Sequence, residues 1–229
     1  MNKQITHNIG NEVIHLHITQ WGASGIVYIN LHENEQTSVE AGKEILSKTN
    51  GTLIEIKSKG ERMISFNLDG TLYTFDPNRI FTSEGIRKTL TENGANTIIA
   101  EQLVAAFATT IIQQLQAHQP RLIVALHNTT GQYTIDNYLD GGEYEKDRGD
   151  IFINPNHDIT DFFFTTDRRI FEKIKTKKYS VLLQNNETVA DDGSLSVYCS
   201  SQIPYINIET LHGHKEMQME MISFINSKM

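Results

Sequence analysis

Short β-branched runs alternate with helix-period segments along almost the whole of this chain. Residues 12–18 read as a strand. Residues 26–32, IVYINLH, form a buried-strand run that starts after Gly25 and ends on His32. Residues 52–56, 161–165, 181–184 and 205–209 read as further strands, and the apolar run 121–126 leads into His127. Residues 64–75, broken by Asp69 and Gly70, read as a hairpin. Helical spacing fills the gaps. Thr37 with Glu40 three residues on suggests a capping box, with Val39, Ile45 and Leu46 as the stripe behind it. The longest helical segment, 97–118, carries Ile98, Leu103, Phe107 and Ile111 on one face and stops before Pro120. Segments 168–177 and 215–224 complete the set. The alternation predicts an α/β fold: three α/β/α layers around a central mixed, mostly parallel sheet. Functional groups in such sheets collect at the carboxyl ends of strands. His32, His127 and Glu209 all stand at or next to predicted strand ends.

The chain has 229 residues, which suits one large domain, so residues 1–229 are expected to form a single unit. Its formal net charge of -8, with no long Lys/Arg run, argues against a nucleic-acid partner. A small anion can still bind where positive charge collects in a cleft. Cys199 is the one cysteine, which excludes an internal disulfide and a cysteine-built zinc site. Polar residues break every apolar stretch short of a membrane span, so no membrane partner is expected. Residues 1–10 are polar and carry no signal-like apolar core, so the cytoplasm is the simplest expectation.

Four motifs carry chemistry. In "HENE", His32 and Glu35 are separated by two residues and can bite one metal ion where a strand turns into a helix; taken alone, the motif reads more readily as loop residues with no ligand. In "LHNTT", His127 follows a buried strand, either as a third ligand or as a hydrogen-bonded strand-end histidine. In "DPNRIF", Arg79 offers a planar guanidinium suited to a substrate carboxylate or an oxyanion, or to a surface ion pair. In "INIET", Glu209 is a carboxylate beside apolar strand residues, either solvent-facing or a general base near an activated water.

Taken in order along residues 26–213, these motifs resemble the zinc carboxypeptidase superfamily, which includes aspartoacylase and succinylglutamate desuccinylase. "HENE" is similar to its His-Gly-Asn-Glu ligand motif. "DPNRIF" and "LHNTT" are similar to Asp-Leu-Asn-Arg-x-Phe and Leu-His-Asn-Thr-Thr of the aspartoacylase branch. The resemblance implies zinc on His32, Glu35 and His127, substrate binding by Asn78 and Arg79, and Glu209 as the catalytic carboxylate. It adds Tyr198, lying where carboxypeptidases place a mobile tyrosine, as a substrate contact or a packing residue. His212 and His214 are secondary candidates, for the cleft or for a second metal, and the charged loop 141–149 is a candidate rim.

Three departures stand out. Glu33 replaces the motif's usual glycine. Ala125 replaces an aspartate two residues before the ligand histidine. Only a short stretch follows Glu209, so the C-terminal domain of aspartoacylase is expected to be absent. The expectation is therefore metal-assisted amide hydrolysis of a peptide or an N-acyl amino acid bearing a carboxylate. The alternative is a non-catalytic binding module that keeps the fold.

Overall fold

The computed structural model describes residues 1–229. A nine-stranded sheet runs in the order β1-β2-β4-β3-β7-β11-β9-β10-β8. Its strands are β1 (Asn2–Ile9), β2 (Glu12–Trp21), β3 (Ile26–Asn30), β4 (Gly51–Lys57), β7 (Leu122–Thr129), β8 (Arg148–Phe152), β9 (Phe162–Thr165), β10 (Val181–Gln184) and β11 (Tyr205–Leu211). A separate hairpin pairs β5 (Ile64–Leu68) with β6 (Thr71–Phe75). The centre, β4-β3-β7-β11, is parallel. Antiparallel pairings lie outside it: β1 on β2, β2 on β4, β9 on β11 and β8 on β10.

Every residue of β7 is buried, as expected for a parallel strand covered on both faces. One face carries α1 (Gln36–Thr49), α4 (Arg168–Thr176) and α6 (Lys215–Lys228), whose Leu46, Phe171 and Ile222 pack on Val124 and Ile208 in one apolar cluster. The other face carries α2 (Ser83–Glu92), α3 (Ile98–Ala117), α5 (Leu195–Cys199) and the hairpin, with Phe66, Phe75 and Phe107 at the centre of a second cluster. The three α/β/α layers are therefore present. The helix α3 is long and apolar enough to cross a membrane by composition, but its Val104, Phe107 and Ile111 face is buried against this second core.

The periodic segments are where the alternation places them, and four elements were not anticipated. β1 is polar on its outer edge and extends only because β2 pairs with it. β8 begins where the charged segment 141–149 ends, and α2 and α5 are short. The expected capping box at Thr37 does not form. Glu35 occupies the N-cap position of α1 without a side-chain cap bond, and Thr37 Oγ1 instead accepts the Gly213 N–H. A carboxylate committed elsewhere has displaced the local cap.

Candidate metal centre and active site

β3 ends at Asn30, and the chain turns through "LHENE" into α1. That turn throws His32 and Glu35 toward the carboxyl end of β7, where His127 sits. His32 Nδ1 lies 2.8 Å from Glu35 Oε1, His127 Nδ1 lies 2.9 Å from Glu35 Oε2, and the two Nδ1 atoms are 3.2 Å apart. All three residues are buried. A tetrahedral zinc with bonds of about 2.0–2.1 Å sets its ligand atoms about 3.3 Å apart, so two imidazoles and a carboxylate in this triangle fit such an ion after a slight opening.

Burial pulls the His32 imidazole down, but the charges of Glu35 and Asp76 and their hydrogen bonds outweigh it and hold it at about 9. Burial likewise pushes Glu35 up, but the two histidines outweigh it and hold its carboxyl well below the usual range. His127 is lowered, chiefly by burial.

A second carboxylate orients the His32 ring. His32 Nε2 lies 2.8 Å from Asp76 Oδ1, which directs Nδ1 at the triangle. Asp76 comes from the "DPNRIF" segment after β6. His127 has no equivalent: its Nε2 is buried without a partner, and Ala125, two residues back on the same face of β7, offers none. Glu33, in place of glycine, is accommodated because its carboxylate turns away and accepts the Ser58 and Gly60 N–H groups. Asn128 is a clamp rather than a ligand: its Oδ1 accepts the Ser38 N–H and its Nδ2 donates to Gln218 and Thr210.

Glu209 lies on β11 in register with His127 on β7. It is 4% exposed, and the Asn207 amide is its one side-chain donor, at 3.3 Å. Burial first, and then the charge of Glu35, push its carboxyl well up. His32, Glu35, His127, Asn78, Arg79 and Glu209 all line one cleft of about 670 Å³. Arg79 is fixed by a close approach of two loops. A Cβ on Gly85 would lie 2.2 Å from Gly193 Cα and 2.8 Å from the Arg79 carbonyl oxygen. The Arg79 side chain is 37% exposed, with Nε 3.5 Å from Asp192. Asn78 Oδ1 accepts the Leu195 N–H, which ties the same two loops together.

Two sequence candidates lie elsewhere. Tyr198 is on α5, where its ring packs against Phe81 at 6.2 Å, and it does not line the cleft. His214 pairs with Asp161 at 2.9 Å, while His212 lines the cleft, so the two do not converge on a second metal. The candidate rim 141–149 lines the cleft through Glu143, Tyr144, Lys146 and Asp147, while Arg62, Tyr133 and Tyr138 line it without having been singled out. Arg62 Nη1 donates to Glu35 at 2.7 Å, and Tyr133 and Tyr138 share a hydroxyl hydrogen bond. None belongs to a motif, and only the folded arrangement of loops brings them in.

The chain matches no protein-family model and no curated protein. Among solved structures it is similar to an aspartoacylase family protein from Mesorhizobium loti, at 14% identity and a TM-score of 0.49. The match covers 99% of this chain and 66% of that one. Its neighbours are of the aspartoacylase and metallopeptidase kind. The ectoine utilization protein from Ruegeria pomeroyi, in a product-bound structure, matches at 13% identity and a TM-score of 0.47, covering 99% of this chain and 65% of that one. A protein proposed to be a metallopeptidase from Shewanella denitrificans matches at 12% identity and a TM-score of 0.45, covering 98% and 82%. The chain thus spans just under two thirds of the first of these.

Proposed function

We propose that this protein is a zinc-dependent hydrolase that cleaves an amide bond next to a carboxylate. The observation that carries the reading is the placement of Glu209 beside the His32–Glu35–His127 triangle, in the same cleft as Arg79. When bound, zinc would polarise the scissile carbonyl and make water a nucleophile near neutral pH. The protein's own groups supply the rest. His32, Glu35 and His127 hold the ion, and Asp76 fixes the His32 ring. Glu209 accepts the proton of the attacking water and hands it to the leaving amine. Arg79, with Asn78 beside it, receives the substrate carboxylate or steadies the developing oxyanion.

Two substrate classes fit this chemistry: an N-acyl amino acid, and a peptide trimmed at its C-terminus. The likeness of "DPNRIF" and "LHNTT" to the aspartoacylase branch favours the first. A binding module without catalysis is the rival reading, and a buried carboxylate beside the metal triangle has no use in it. Protein purified without chelator should hold about one zinc per chain and hydrolyse a member of a panel of N-acyl amino acids and short peptides. Chelation should abolish the activity, and zinc should restore it. Stoichiometric zinc with no turnover across the panel would favour the binding module; failure to bind zinc would remove the reading.

A further inference from the structure

The floor of the cleft next to Glu209 is a row of side chains across three strands. β9 lies between β11 and β10. Phe164 on β9 pairs with Asn207 on β11 and with Leu182 on β10, two residues before Gln184. Asn207, Phe164 and Gln184 all line the cleft, as does Glu209. On the far side of Asn207 its register partner on β7 is Ala125, which takes little room.

The two amides at the ends of this row have fixed orientations. Asn186 Nδ2 donates to the Thr166 carbonyl, so Asn186 Oδ1 faces Gln184 and accepts from its Nε2 at 2.9 Å. That leaves Gln184 Oε1 as the outward atom. Asn207 Nδ2 is turned to the Glu209 carboxylate, which leaves Asn207 Oδ1 as its outward atom. Both oxygens are buried and no protein group donates to either. Gln184 as a whole is 2% exposed. Buried acceptors are paired in the great majority of cases, and leaving one bare is costly. Beyond Gln184 the cleft wall includes Asp147, which has no cationic partner within salt-bridge distance and whose carboxyl burial pushes up.

We propose that this row is a substrate-arm subsite in which Phe164 supports a hydrocarbon stem, Asn207 Oδ1 receives a substrate N–H close to the scissile bond, and Gln184 Oε1 receives the N–H donors of the arm's head. The substrate class is an amide whose amino-acid arm is a stem ending in an ammonium or carboxamide. Gln184 stands two strands over from β11, at about 4.8 Å per strand, and two residues further along than the Asn207–Phe164 pair, on the side away from Glu209, so it sits at the far end of the arm from the reacting carboxylate. This inference rests on the hydrolase reading for the reaction but not for the binding.

Four Nα-acetyl amino acids test it on the zinc-loaded full-length protein: lysine, glutamine, norleucine and glutamate. Calorimetric titration of the four free amino acids reads binding without turnover. The lysine or the glutamine compound should exceed both norleucine and glutamate by about tenfold or more, in kcat/KM and in affinity. The ratio of lysine to glutamine tells whether a charged or a neutral head is preferred. In Gln184→Leu, checked for a native melting profile, the advantage over norleucine should collapse to within a few-fold. Norleucine or glutamate equal to both donor-headed ligands in the wild type would overturn the subsite, whatever becomes of the variant. A donor preference in titration without hydrolysis of any compound would keep the subsite and remove the hydrolase reading.

Discussion

Glu209 stands directly opposite His127 in the parallel register between β11 and β7. Register partners on neighbouring strands lie about 5 Å apart and point to the same face, so the carboxylate is held at the edge of the His32–Glu35–His127 triangle without joining it. Glu209→Gln keeps shape and hydrogen bonding but removes the proton-accepting charge. Zinc content by elemental analysis should be unchanged, and kcat should fall by about 100-fold or more, the usual scale for general acid–base catalysis. Loss of zinc in this variant would make Glu209 a ligand instead.

Zinc affinity should rise with pH. A histidine binds metal only when neutral. In the metal-free protein Glu35 and Asp76, against the pull of burial, hold the His32 proton to about pH 9. Uptake therefore displaces that proton, and affinity should increase about tenfold per pH unit from pH 7 toward 9 and then level off. Competition with a chromophoric chelator measures this. The same shift has a stability consequence. The His32 pKa is raised above its unfolded value, so its contribution is complete below about 6.5 and is lost as pH rises through about 9. The melting temperature of metal-free protein should fall across that window, and zinc should blunt the fall.

Asp76→Asn removes the carboxylate that aims His32. An outer carboxylate on a ligating histidine is typically worth 10- to 100-fold in metal affinity, roughly the loss expected here. The pH dependence of zinc uptake should also move to lower pH, because one of the two charges holding the His32 proton is gone. Unchanged affinity would mean that the chain before α1 positions His32 unaided.

Arg79→Lys keeps the charge and loses the planar fork, so kcat/KM on carboxylate-bearing substrates should drop while zinc binding is kept. Gly85→Ala should reach the same residue from a distance. Its new Cβ meets Gly193 Cα and the Arg79 carbonyl, both backbone atoms that cannot turn aside. We expect a loss of about 1–3 kcal/mol in denaturant unfolding and a weakened Arg79 anchor. A Gly85→Ala protein with wild-type stability would mean the two loops can part at little cost.

Cys199 is fully buried on α5, and burial pushes its thiol up to about 12. A thiolate-selective disulfide reagent should leave native protein essentially unlabelled near neutral pH and label one thiol per chain after unfolding. Rapid labelling of the native state would show that α5 opens locally, and with it the wall that carries Asp192 and Ser194.

Most of the fold was legible in the sequence because it is written in local periodicity. β3, β7 and β11 are apolar runs bounded by turn residues, and α3 and α4 carry one-sided stripes; burial of those stripes leaves few architectures open. The strand-end placement of His32, His127 and Glu209 was legible for the same reason, since strand ends in such sheets face one edge, whereas Glu35 was singled out by the "HENE" motif and its resemblance. What the sequence by itself did not determine was everything held by contact between distant segments. β1 and β8 are strands because of what they pair with, not because of their own pattern. Which of its two readings Tyr198 follows is decided by α5, which packs it onto Phe81, while Tyr133 and Arg62 enter the cleft from loops with no periodic signal. The pairing of Asp76 with His32, and the bare amide oxygens of Gln184 and Asn207, exist only once strands and loops far apart in the chain meet. A hydrogen bond depends on distance and angle between groups that one-dimensional order does not relate, so the tertiary structure alone decided them.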